Sequence, residues 1–196
     1  MKTGRIVLIV VSVILVLFIF RGCRGYNNLV TLREQVNREW ANVENVYQRR
    51  ADLIPNLVAT VKGYAAHEQE TFTRVVEARS KATSVTIDAA NMTENDMMRF
   101  QAAQGEISSA LSRLLAVVEN YPDLKANQNF LELQAQLEGT ENRIAVERRK
   151  FNETATTYNT EIKKFPAILY AGLFGFKERP YFESEAGANQ APEVQF

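Results

Sequence analysis

The chain has 196 residues, and its 23 Lys and Arg residues are matched by 23 Asp and Glu residues. That balance supplies no global field for nucleic acid. The single cysteine, Cys23, excludes an internal disulfide and any cysteine-rich metal site. Nine glycines and five prolines sit at punctuation points, as expected of long helices.

The first element is an apolar run from Ile6 to Phe20, with Lys2 and Arg5 before it and Arg21 and Arg24 after it. A bilayer core takes about 20 helical residues. Counting from Thr3 to Gly22 restores roughly 30 Å at about 1.5 Å per residue, because Arg5 and Arg21 snorkel to the headgroups. Residues 1–25 are therefore predicted to be a single membrane anchor that meets lipid through Ile6, Leu8, Val10, Ile14, Leu17 and Phe20. A cleaved signal peptide is the competing reading. No small-x-small site follows the run, and Arg21 occupies the usually small position two before Cys23 of a lipoprotein signal. A retained anchor fits better.

Leu29, Leu32, Val36, Trp40, Val43, Tyr47, Ala51, Ile54, Val58, Val61 and Ala65 recur at the α-helical period. They predict one long first helix with a kink near Asp52, where Pro55 removes a backbone donor. Gly63 weakens that helix, and Tyr64 to Glu68 is read as a turn. A second helix is predicted over 67–82, carried by Phe72, Val75, Val76 and the Arg79 stem. Thr93 with Asp96 is an N-cap signature opening a third helix. Its buried face is Phe100, Ala103, Ile107, Leu111, Leu114 and Val118, and Tyr121-Pro122-Asp123 ends it. The fourth helix is predicted over 124–165. Its apolar face is Phe130, Leu133, Leu137, Ile144, Phe151, Ala155, Tyr158, Ile162 and Phe165, with Pro166 as its stop. The fold class is thus all-α: an N-terminal transmembrane helix followed by an elongated antiparallel four-helix bundle, residues 26–166. Residues 167–182 form an apolar, aromatic segment, and 183–196 a mobile tail.

Chemistry is sparse. His67-Glu68-Gln69-Glu70-Thr71 begins like a zinc helix, but Thr71 takes the place of the second histidine. A bundle di-iron site needs Glu-x-x-His pairs, and residue 64 is Tyr. No phosphate loop or nucleophile elbow is present, so no metal or cofactor is expected. The unusual feature is a double polar cluster: Arg49, Arg50, Asp52 and Asn56 on the first helix, and Glu141, Asn142, Arg143 and Arg148 on the fourth. If facing residues sum to about 193, Asp52 lies opposite Glu141 and Arg49 opposite Ile144. An inter-helix layer that fixes register is one reading, and a partner site is the other. The segment Ile168, Leu169, Tyr170, Leu173, Phe174 and Phe176 either docks on the bundle near the anchor or lies in the membrane interface.

The runs Tyr26-Asn27-Asn28-Leu29-Val30, Gln48-Arg49-Arg50-Ala51-Asp52-Leu53-Ile54-Pro55-Asn56-Leu57-Val58 and Leu137-Glu138-Gly139-Thr140-Glu141-Asn142-Arg143-Ile144-Ala145 resemble the bacterial LemA family. Gly172-Leu173-Phe174-Gly175-Phe176 and Pro180-Tyr181-Phe182 do so as well. The resemblance implies a helical bundle behind one membrane helix, no established enzymatic activity, and a link to membrane-protein maintenance. The resulting expectation is a non-enzymatic scaffold that binds envelope or membrane proteins, or itself as a homo-oligomer. It meets membrane lipid through its N-terminal helix and does not bind nucleic acid. A membrane-shaping protein, and a protease or hydrolase cofactor working through Asp52, Glu141 and Arg143, are the alternatives. Lys2 and Arg5 before the run and Arg21, Arg24, Arg33 and Arg38 after it divide the positive-inside rule; the short charged N-terminal tail and the placement of Cys23 favour a cytoplasmic N-terminus and a periplasmic bundle on the bacterial inner membrane.

Overall fold

The computed structural model describes residues 2–183, without the side chains at 2, 3, 5, 18 and 19. Among the described residues there are helices and no strands. The predicted tail lies outside them except for Glu183.

Helix α1 runs from Lys2 to Lys62 without interruption. Its apolar N-terminal part is exposed on every side, and it is the one helix among the described residues long and apolar enough to cross a membrane. From Leu29 onward the same helix becomes amphipathic. Leu29, Val36, Trp40, Val43, Tyr47, Ala51, Ile54, Leu57, Val61 and, just past its end, Ala65 are buried. Leu32 and Val58 of the predicted stripe are only half-buried, and Leu57 takes the inward position beside Val58.

Pro55 does not break the helix. Having no N–H, it leaves the carbonyl four residues earlier, at Ala51, without its intrahelical donor. The Arg79 Nε supplies a substitute donor at 2.8 Å. A side chain on the neighbouring helix thus replaces the backbone bond that the proline removes.

After a turn over 63–68, helix α2 spans Gln69–Ser84, two residues later at each end than the sequence predicts. It buries Phe72, Val75, Ala78 and Ala82. Val76 faces solvent, because it neighbours Val75 in sequence and so points about 100° away around the helix. Helix α3, Glu94–Val118, opens with the predicted capping box of Thr93 and Asp96. Hydrogen bonds from Thr93 hold the Asp96 carboxyl below its usual range. The predicted single fourth helix is divided. Helix α4 is a short turn over Pro122–Lys125, and helix α5, Gln128–Lys163, starts afresh because the Asn127 side chain caps it through Phe130 N. Helix α6, Ile168–Ala171, follows. Phe165, predicted on the core face, is exposed. It lies past the last turn of α5, where helical periodicity no longer positions it.

Helix α1 packs along α5, and the α2–α3 hairpin packs on α1. The lengths are unequal: α5 spans about 54 Å and α3 about 37 Å at about 1.5 Å per residue. The hairpin therefore leaves the ends of α1 and α5 nearest the anchor uncovered. The loop 85–93 and the extended segment 176–183 cover them instead, placing Met92, Phe176 and Phe182 against Trp40, Phe151 and Tyr158.

Replacing Arg79 by Ala is expected to lower stability by about 1–3 kcal/mol, since a buried carbonyl loses its donor. In a Pro55→Ala background the same change should cost much less, because residue 55 then provides the N–H. Urea unfolding of the four proteins in detergent measures this. An equal loss in both backgrounds would show that Arg79 acts through something other than the Ala51 carbonyl.

Candidate functional site

The core is divided into two apolar clusters. One lies toward the anchor and holds Trp40, Tyr47, Phe100, Ile144 and Phe151. The other lies beyond it and holds Ile54, Leu57, Ala103, Ile107 and Leu137. Between them sits Arg50, a guanidinium only 2 % exposed. Its position is set by periodicity, three residues after Tyr47 and four before Ile54, which puts a charge on the apolar stripe.

A charge there is tolerable only if hydrogen-bonded. Arg50 Nη1 donates to a Glu141 carboxylate oxygen at 2.7 Å and to Ser108 Oγ at 3.0 Å. Nη2 donates to Gln104 Oε1 at 2.7 Å and to the Gln104 carbonyl at 3.2 Å. The guanidinium also stacks over the Tyr47 ring at 5.1 Å, while its Nε has no partner. One side chain from α1 thereby ties α3 to α5. Above it, α3 and α5 stand apart and leave a groove of about 1050 Å³. Gln101, Gly105, Ser109 and Ser112 line one wall of it, and Leu137, Glu138, Asn142 and Arg148 the other.

The predicted polar residues are only partly brought together. Arg50, Glu141, Asn142 and Arg148 line this groove. Asp52 does not face Glu141; it is exposed and accepts a bond from Gln48 Nε2 at 2.8 Å. Arg49, Asn56 and Arg143 are exposed outside the layer. The register explains the exchange. Arg50 with Glu141, and Trp40 with Phe151, both sum to 191 rather than 193, which puts position 50 where 52 was expected. No group of three or more His, Cys, Asp or Glu residues able to hold a metal occurs among the described residues.

Two further residues escape sequence reading. Asn159 and Asn152 lie seven apart on one face of α5, a spacing of about 10 Å along a helix. Each clamps one residue of the extended segment by a pair of bonds. The Asn159 amide takes the N–H and carbonyl of Arg179, both at 2.8 Å, and the Asn152 amide those of Phe182, both at 2.9 Å. Three residues of extended chain also span about 10 Å, so the two spacings match. Arg179, whose backbone the Asn159 clamp holds, has a buried side chain that donates to the Ala90 carbonyl at 2.9 Å. Burial pulls its guanidinium below the usual range. Asparagines at a seven-residue interval on an apolar face are the signal that would have found the clamps.

At the anchor end, Ile6, Leu8, Val10, Ile14, Leu17 and Phe20 are all exposed. In the C-terminal segment Phe176 is buried and Tyr170 half-buried, whereas Ile168, Leu169, Leu173 and Phe174 are exposed. Tyr26 meets the Phe174 and Phe176 rings edge-on at 5.1 and 5.5 Å.

The sequence profile of the LemA family matches residues 39–196, which include the Arg50 layer, both asparagine clamps and the C-terminal segment. The chain belongs to the LemA family. It is 31 % identical to magnetosome protein MamQ 2 of Paramagnetospirillum magneticum, across 95 % of this chain and 75 % of that protein. Magnetosome protein MamQ of Magnetospirillum gryphiswaldense is also 31 % identical, across 88 % of this chain and 70 % of its own. Protein LemA of Metamycoplasma hominis is 24 % identical, across 71 % and 60 % respectively. In this LemA-family chain the family match starts one residue before Trp40, where α1 carries its first large aromatic into the core.

Changing Arg50 to Ala is expected to lower stability by about 3 kcal/mol, because acceptors on two helices lose a buried partner. Changing Glu141 to Gln should cost less than about 1 kcal/mol, since that side chain is 45 % exposed. Thermal unfolding of the purified full chain ranks the two. A larger loss for Glu141→Gln would place the weight of the layer on the carboxylate instead.

Proposed function

We propose that this protein is a membrane-anchored, non-enzymatic scaffold of the bacterial envelope. Its helical body acts as an elongated antiparallel four-helix bundle that presents a fixed surface to membrane proteins or to further copies of itself. The observation that carries this reading is the continuity of α1, which passes from an exposed apolar span into the Trp40-centred core with no linker between them. A body mounted in this way is held at a set distance from the bilayer, which suits an organising role more than capture of a diffusing substrate. Relatives whose names, protein LemA and magnetosome protein MamQ, carry no catalytic activity support it.

In this reading Arg50, Gln104, Ser108 and Glu141 fix helix register, and a link to membrane-protein quality control is one role for such a scaffold. A hydrolase cofactor working through Asp52, Glu141 and Arg143 is less well supported. Asp52 is engaged by Gln48 and Glu141 by Arg50.

Cross-linking in native membranes, followed by purification of the full chain, should return a membrane-protein partner or an oligomer. Recovery of the monomer alone would overturn the scaffold.

We further propose a single pass through the inner membrane with a periplasmic body. A phosphatase fused after Phe196 should then be active and a fluorescent protein at the same place dark. The reverse pair of results would put the body in the cytoplasm.

A further inference from the structure

The turn that follows α5 is apolar on two opposite sides. Ala167, Ala171 and Phe176 point inward and are buried in the cluster nearest the anchor. Phe165, Ile168, Leu169, Leu173 and Phe174 point outward, with Phe165 78 % and Leu173 85 % exposed. Ile168 and Leu169 lie on α6, and Phe165, Leu173 and Phe174 lie in the turns that flank it. The turn is closed by Gly175 in the left-handed region (φ 73°) and by the bond from Phe176 N to the Ala171 carbonyl. A contiguous outward group of this kind marks an interaction surface, and nothing among the described residues covers it.

Its location decides what covers it. Tyr26 holds Phe174 and Phe176, and Gly25 passes so close to Tyr170 that a Cβ there would lie 2.1 Å from the tyrosine hydroxyl. The turn is therefore pinned beside α1 at residues 25 and 26. That is six residues, or about 9 Å, beyond Phe20 at the end of the apolar span. The headgroup region on one side of a bilayer is about 5–8 Å deep, so side chains projecting from the turn are within reach of it. Arg21 and Arg24, between the apolar span and the turn, are exposed and make no ion pair among the described residues, which suits anionic headgroups.

We propose that Phe165, Ile168, Leu169, Leu173 and Phe174 form a second membrane contact, seated in the interfacial layer of the bilayer that holds α1. This rests on the reading that the N-terminal helix spans that bilayer. A single helix leaves a body able to rock on its anchor. Two contacts about a helix diameter apart set its tilt, with Gly25 keeping the second close to the first.

The test uses the full chain in nanodiscs of phosphatidylethanolamine and phosphatidylglycerol, with and without bromine on the acyl chains. Leu173→Trp places an indole in the turn. Trp40, buried and about 30 Å beyond Phe20 along α1, is the internal reference. A second variant, Val76→Trp, puts an exposed indole on α2 in the part of the body away from the anchor. Emission added by Leu173→Trp should be blue-shifted and lose more than half its intensity to brominated lipid. Trp40 and the indole at position 76 should be unaffected. A water-like emission at position 173, quenched by acrylamide and not by bromolipid, would overturn the contact. A blue-shifted emission insensitive to bromolipid would overturn it too, by assigning the turn to a second copy of the chain. Failure of the wild-type chain to enter nanodiscs would instead refute the anchor, and this inference with it.

Discussion

On the proposed topology one helix has to satisfy its backbone in two media. Within a hydrocarbon layer every N–H and C=O must find its partner inside the helix, whereas within the body only one stripe needs to be apolar. Helix α1 meets both demands because its composition changes between Phe20 and Leu29 while its hydrogen bonding does not. Its one proline, Pro55, falls deep in the body, where a neighbouring helix can supply the missing donor from Arg79. The same proline within the apolar run would have had no such substitute.

The remaining architecture follows from how that helix is covered. Helix α5 accompanies it over most of its length in the body, but the α2–α3 hairpin is too short to shield the part nearest the anchor. An open α1–α5 pair would expose Trp40, Phe151 and Tyr158. The chain solves this by turning back after α5 and running antiparallel to it, with Asn159 and Asn152 substituting for the strand partner that an extended segment otherwise requires. Phe182 then stacks on Trp40 at 6.0 Å and meets Phe151 edge-on at 5.5 Å, completing an aromatic group drawn from four parts of the sequence.

Most of the helical pattern was legible because periodicity and capping are local properties. Thr93 and Asp96 announce the start of α3, and the spacing from Phe100 to Val118 gives its buried face. The errors arose where local pattern is silent. The restart of α5 at Asn127 depends on a cap that also reads as an ordinary helix residue. Phe165 and Val76 are apolar but outward, because surface apolar residues look the same in sequence as core ones. The polar cluster that the sequence singles out includes Arg50, but Arg50 rather than Asp52 is the residue that meets Glu141. A register offset of two residues exchanges Asp52 for Arg50, and register between distant helices is set by packing rather than by either sequence alone. The asparagine clamps leave only a faint trace, two asparagines seven apart on an apolar face, because their partners are backbone groups.

The division of the core by the Arg50 layer has a mechanical consequence. Residue 183 and the anchor both attach to the cluster on the anchor side, through the clamps at Asn152 and Asn159 and the packing of α1 on α5. On the proposed topology, tension transmitted between residue 183 and the bilayer runs through that cluster, with the extended segment loaded in shear along α5. The apolar cluster beyond Arg50 lies off that path, whereas α3 shares it, because Phe100 packs in the anchor-side cluster and Gln101 Oε1 accepts from Glu183 N at 3.2 Å.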